Sequence, residues 1–177
     1  GAWDFTEGAR VAELLQTCFP EDVLGYYYAA DCHRFRGRYE SAIPLYRTAM
    51  MKDPKAGFIA DKLALSLLTL RRFEEAEAVI KREQTVRDSP WIRRIAGLKA
   101  MVRGDFGGAR RMFESILPVD ERARLFGSLH LAQLEGERGR VAECIRILEE
   151  QLAWCQAHDR LGEAGAIEAL LTALPPG

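Results

Sequence analysis

The chain has no apolar run long enough to cross a membrane, and no stretch of it reads as an export leader. It also lacks a P-loop, a dinucleotide fingerprint and any zinc-ligand spacing, so no motif calls for a cofactor or a metal. Strand-like alternation of apolar and polar residues is missing as well. Neither sign of charge is in excess. Lys and Arg number 25 against 26 Asp and Glu, a net charge of -1, which argues against a general affinity for nucleic acid or an anionic membrane. Lysine itself is scarce, 5 against 20 arginines, a bias that hints at a bacterial source with a GC-rich genome. Cysteine is sparse and unpaired in spacing. Cys18, Cys32, Cys144 and Cys155 each sit among apolar neighbours in a helical pattern, where a free thiol acts as a small hydrophobe. That usage points to a reducing, cytoplasmic setting and leaves a periplasmic one open.

What the chain does have recurs. Phe5, Tyr39, Phe73 and Phe106 stand 34, 34 and 33 residues apart, and Val141 follows 35 later. Three residues after each comes a small one: Gly8, Ala42, Ala76, Ala109 and Cys144. Seven after comes Ala12, Tyr46, Ile80, Phe113 or Leu148. Two before the last four come Gly37, Arg71, Gly104 and Gly139. A period near 34 with helical patterning means an array of helical hairpins, each unable to bury its apolar face alone. Such an array presents a binding surface, and its repeat pattern does not name the ligand.

The pattern predicts one domain over the whole chain. It begins with a half repeat at 4–20, whose helix covers about 4–18. Repeats follow at about 22–54, 56–88, 89–120 and 122–158, each a helix pair, with a capping helix at 161–174. The paired helices are expected at about 22–36 and 39–51, 56–70 and 73–86, 89–103 and 106–117, and 122–137 and 141–158. Asp53-Pro54, Asp88-Ser89-Pro90 and Pro118-Val119-Asp120 stop one helix and start the next. Pro44 falls inside a helix and is expected to bend it. In the last helix Ala164, Ile167, Leu171 and Leu174 form the stripe that would close the array. The opening Gly-Ala-Trp and the leading half repeat suggest a fragment of a longer protein. Val11, Leu14 and Leu15 would then lack their upstream cover, an invitation to self-association at that end.

These residues resemble the tetratricopeptide repeat. Tyr26, Ala29, Ala30, Gly37, Tyr39, Ala42, Tyr46, Ala49 and Pro54 stand where that family places its large and small signature residues. Leu63, Ala64, Phe73, Ala76 and Ile80 repeat the set, as do Ala96, Gly97, Gly104, Phe106, Ala109 and Phe113. Leu131, Ala132, Gly139, Val141 and Cys144 make a degenerate fourth copy. The resemblance implies an all-α fold, a right-handed superhelical solenoid of antiparallel helix pairs. It also implies a non-enzymatic scaffold for protein–protein interaction, its first helices lining a concave groove. Projected onto this chain, the groove takes Leu24, Tyr27, Asp31 and Arg34, then Phe58, Asp61, Leu65 and Leu68, then Trp91, Arg94, Leu98 and Met101. The family's chaperone-tail receptors carry a Lys, Asn and Arg clamp. Here those places hold Tyr27, Asp31, Leu65 and Leu98, which departs from that pattern.

An apolar centre at Leu65, Leu68, Leu98 and Met101 has two readings. One is a slot for a partner's helix or peptide. The other is that curvature or further chain buries those side chains within the protein. Two alternatives to a general scaffold stand beside it: a chaperone similar to the tetratricopeptide chaperones of type III secretion, and a regulatory array attached to a catalytic domain. The arginines at the hairpin turns, Arg34, Arg36, Arg38, Arg71, Arg72, Arg103, Arg138 and Arg140, read first as helix-end charges and second as a ridge for an acidic partner. Catalysis has little support. Asp31, Cys32 and His33 are adjacent on a helix and diverge by about 100° each. Helical-hairpin arrays that read RNA use basic surfaces and polar readers, which this chain does not offer.

Overall fold

The computed structural model describes residues 5–174, and the described residues hold ten α-helices and no strand. They are α1 (Phe5–Cys18), α2 (Val23–Phe35), α3 (Tyr39–Lys52), α4 (Gly57–Thr69), α5 (Phe73–Val86), α6 (Pro90–Val102), α7 (Phe106–Ile116), α8 (Glu121–Glu137), α9 (Val141–Ala157) and α10 (Leu161–Ala173). These bounds depart from the spans read from periodicity by no more than one residue. Helix α3 runs on through Pro44, whose carbonyl accepts a bond from Thr48 Oγ1 at 3.1 Å.

The chain forms two compact units, one ending at Ile95 and one beginning at Ala96, the division falling inside α6. In the first unit α1 packs on α2, α2 on α3, α3 on α4 and α4 on α5. Its core is made where small residues let helices close up: Ala12, Ala30, Ala42, Ala49, Ala60, Ala64 and Ala76 are fully buried. Tyr46, Ile59, Leu67 and Ile80 fill the spaces between them. Each such large side chain contributes about 1.5–3 kcal/mol by leaving water. Gly8 continues the small-residue series, since a β-carbon there would meet Cys32 Sγ at 3.2 Å.

In the second unit α7 packs on α8, α8 on α9 and α9 on α10. Phe113, Leu134, Leu148, Cys155 and Ile167 centre its core, with Met101 included. Two glycines mark close approaches. A β-carbon at Gly127 would lie 2.7 Å from Leu117 Cδ2, and one at Gly97 would run into the ring of Phe113.

One turn geometry is used five times. Gly37, Arg71, Gly104, Gly139 and Asp159 all have positive φ, from 54° to 78°. The next residue in each case sends its N–H back to a carbonyl five residues earlier: Arg38 to His33, Arg72 to Leu67, Asp105 to Ala100, Arg140 to Glu135 and Arg160 to Cys155, all at 2.9 Å. This six-to-one bond ties off the orphan carbonyls of the preceding helix and reverses the chain in two residues. Acids at three helix starts act as caps. Asp22, Asp105 and Asp120 accept from Leu24, Gly108 and Ala123 N–H groups at 2.7–2.8 Å.

Candidate interaction face

The first unit presents a mixed aromatic and charged face on α2 and α4. Helix α2 buries Gly25, Ala29 and Ala30 against its neighbours. Helical spacing then turns Leu24, Tyr28 and Phe35 outward, and all three are exposed. Tyr27, Asp31 and Arg34 lie half-buried beside them. On α4, Phe58 is 47 % exposed, and Asp61, Lys62 and Leu65 are half-buried. The rings hold one another: Tyr27 meets Phe58 edge-on at 5.0 Å between centroids and Tyr28 at 5.2 Å. The Arg34 guanidinium covers the Phe35 ring at 4.1 Å.

Under the rings lies a polar network. Tyr46 Oη donates to Asp31 Oδ1 at 2.5 Å, and Arg34 Nε donates to the same oxygen at 3.0 Å. Burial, with help from the Asp31 charge, pushes the Tyr27 phenol up to about 12 and the Tyr46 phenol further up. Beside them, burial and the nearby Arg34 lower the Lys62 ammonium. Burial raises Asp61 to about 7, with Glu83 adding to the rise and Arg94, Lys62 and Arg87 opposing it. One Asp61 oxygen, Oδ1, is buried without a hydrogen bond. The face therefore offers exposed rings beside a desolvated Asp61 carboxyl group.

The other expected groove residues fall differently. Trp91 and Arg94 are half-buried, and each already has an interaction partner. Leu65 and Leu98 are half-buried, and Leu98 packs against the second unit's core. Leu68 and Met101 are only 7 % and 6 % exposed. Their apolar atoms are covered within the protein, so the accessible apolar surface of the α2/α4 face comes from Leu24, Tyr28, Phe35 and Phe58 instead.

Solved structures with the same arrangement of helices are tetratricopeptide proteins. One from Parabacteroides merdae superposes with a TM-score of 0.73 at 15 % identity, covering 98 % of this chain and 73 % of that one. PilW, a type IV pilus biogenesis factor, gives 0.71 at 16 % identity over 96 % of this chain and 86 % of that one. A chain of the APC/C hetero-tetramer Cut9–Hcn1 gives 0.71 at 17 % identity over 96 % of this chain and 39 % of that one. The fold is that of the tetratricopeptide repeat. No protein-family model matches the sequence, and no curated protein does.

Within this tetratricopeptide fold Arg34, Arg72, Arg138 and Arg140 of the hairpin-turn arginines pair with carboxylates at home. Arg72 pairs with Glu75 at 2.7 Å and Glu40 at 3.3 Å, and Arg36 donates to Thr6 Oγ1. Arg138 and Arg140 both reach the buried Glu135, at 3.2 and 3.4 Å, and Arg110 joins them at 2.5 Å. Burial pushes the Cys32 thiol up, which works against its use as a thiolate. Among the described residues no group of three or more His, Cys, Asp or Glu could hold a metal ion. No helix there is long and apolar enough to cross a membrane. Tyr28 and Lys62 are not among the groove residues read from the sequence, and Tyr46 reads there as a repeat core residue only. Tyr28 stands one turn from Leu24 on the same stripe, a signal that was available.

Proposed function

We propose that this chain is a non-enzymatic protein-interaction module whose α2/α4 face receives a segment of a partner protein. The observation that carries the proposal is the exposure of Leu24, Tyr28 and Phe35 on one stripe of α2 and of Phe58 on α4, with half-buried Tyr27 packed against both Tyr28 and Phe58. Exposed aromatic side chains with few rotatable bonds make efficient anchors, because little freedom is left to lose on binding. Each ring that a partner covers fully adds about 1–2 kcal/mol, since these rings are already half-shielded. PilW serves pilus biogenesis and the Cut9–Hcn1 chain belongs to a hetero-tetramer, so proteins of this fold work in assemblies, which supports a protein partner here. A reducing, cytoplasmic compartment suits the four free thiols.

The test compares native protein with a Tyr28→Ala/Phe58→Ala double variant as bait in source-cell lysate, with Leu161→Ala as a control on a different exposed residue. The double variant should keep its helical circular dichroism and lose its specifically captured proteins, while the control retains them. Equal capture by all three would place the binding surface elsewhere.

A further inference from the structure

A second feature lies on α3, α4 and α5 and shares no residue with the α2/α4 face. It is a cavity of about 450 Å³ open to solvent on one side, within the size range of ligand and anchor pockets. Met50, Met51, Leu63 and Val79 supply apolar walls, and the only charged groups lining it are Arg47 and Arg82. Met51 is 74 % exposed, so its flexible thioether hangs at the mouth. Arg47 is hydrogen-bonded to Glu75, a carboxylate that Arg72 also holds. Arg82, in contrast, has no carboxylate partner among the described residues and is exposed. An apolar cavity is thus edged by one half of an ion pair.

We propose that this cavity is a second docking site, and that its occupant is an acidic amphipathic helix of a partner protein. A bulky apolar side chain of that helix enters between Met50, Leu63 and Val79, and an Asp or Glu one turn away meets Arg82. A guanidinium matches a carboxylate with two parallel hydrogen bonds. Methionine walls reshape around whichever side chain arrives. A cavity open on one side suits a helix, which buries one face and leaves the other in water. An acyl chain or drug-sized molecule needs enclosure over most of its surface, which this cavity does not supply.

A displayed library of short helical peptides of random sequence, selected on the purified protein, tests the proposal. Binders should be enriched in Asp or Glu one turn from Leu, Phe or Trp. Titrating them should shift the Met50 and Met51 methyl resonances. Arg82→Glu should weaken them roughly tenfold, and changing the peptide's acid to lysine should restore binding to that variant. Ala78→Arg, which fills the cavity from an exposed position, should abolish binding, whereas Tyr28→Ala should leave it intact. Helical circular dichroism and melting of each variant keep a loss of binding distinct from unfolding. The proposal is overturned if no binder moves the methionine methyls, if binders show no acidic enrichment, or if Arg82→Glu changes nothing. It is equally overturned if dodecanoate moves those methyls and no peptide does. A concentration-dependent dimer that Ala78→Arg dissolves would assign the cavity to a second copy and overturn it too.

Discussion

Gly97 of α6 lies directly against the ring of Phe113 of α7: a β-carbon on Gly97 would come within 2.5 Å of Phe113 Cε1. Helix propensity alone favours alanine over glycine by about 1 kcal/mol. Here the ring is fully buried and cannot retreat. Gly97→Ala should therefore destabilise, by about 1–3 kcal/mol net of propensity. Denaturant titration measures it. In a Phe113→Leu background the sign should reverse, because the obstructing ring is gone and only the propensity gain remains. A stabilising Gly97→Ala in the native background would refute the close approach.

Arg71 occupies a glycine's place. Its φ is 58°, in the region where Gly37, Gly104 and Gly139 sit at 72°, 78° and 72°. An L-residue there is strained by about 1 kcal/mol. No side-chain bond of Arg71 is formed among the described residues, so nothing is lost with it. Arg71→Gly should raise stability by about 0.5–1 kcal/mol even though glycine loosens the unfolded chain. Gly37→Ala, Gly104→Ala and Gly139→Ala should each lower it by about 1 kcal/mol. Thermal melts of the four variants decide this, and a less stable Arg71→Gly would count against the strain.

The turns and the small–large repeat were legible in the sequence because backbone geometry dictates them. A positive φ calls for glycine at 37, 104 and 139, and a helix crossing calls for a small residue at 42, 76 and 109 whatever surrounds it. The face was legible only in part. Register alone assigns Leu68 and Met101 to the first-helix stripe, yet whether a side chain on that stripe reaches water depends on the volume of its neighbours. Tyr46 reads as a core residue, and its ring is buried, but its hydroxyl extends across to Asp31. Periodicity within one helix carries no record of reach between helices. Likewise Lys62 and Asp61 are adjacent in sequence, and their opposed displacements arise from burial that only the packed structure reveals.

Asp61 should make the protein less stable toward neutral pH. Burial raises its carboxyl from 3.8 to about 7, with Glu83 adding to the rise and Arg94, Lys62 and Arg87 facing it as partial compensation. A raised acid binds its proton more tightly when folded. Its contribution is thus fully present below about pH 4 and is lost as pH climbs through about 7. The shift corresponds to about 4 kcal/mol at its limit, roughly halved by the solvent that still reaches the group. Asp61→Asn removes the titration and should stabilise by about 2 kcal/mol at pH 8. At pH 4 the variant and the native protein should differ little. Chemical denaturation at the two pH values measures both. A pH-independent difference would show that Asp61 is not desolvated in the native state.

Glu135 carries the opposite sign. Its carboxylate is fully buried, and burial by itself would raise its pKa. Arg110, Arg138 and Arg140 more than offset this and hold the group below its ordinary 4.5. A depressed acid contributes stability above its unfolded value and loses it as pH falls through the folded one. The three arginines come from α7 and from the turn between α8 and α9, so the ionised carboxylate fastens that turn to the neighbouring helix. Glu135→Gln keeps the shape and removes the charge. Because all three guanidiniums retain access to water, the loss at pH 7 should be about 1–3 kcal/mol, less than for a sealed ion pair. The deficit should shrink toward zero below the folded pKa, where the native carboxyl is itself neutral. Together with Asp61 this puts the stability maximum near pH 4 to 4.5, where Glu135 is already ionised when folded and little of the Asp61 contribution has yet been lost. Asp61→Asn should extend that maximum upward in pH, and Glu135→Gln should flatten its acid limb. An acid limb equally steep in the Glu135→Gln protein would mean that other carboxylates carry it.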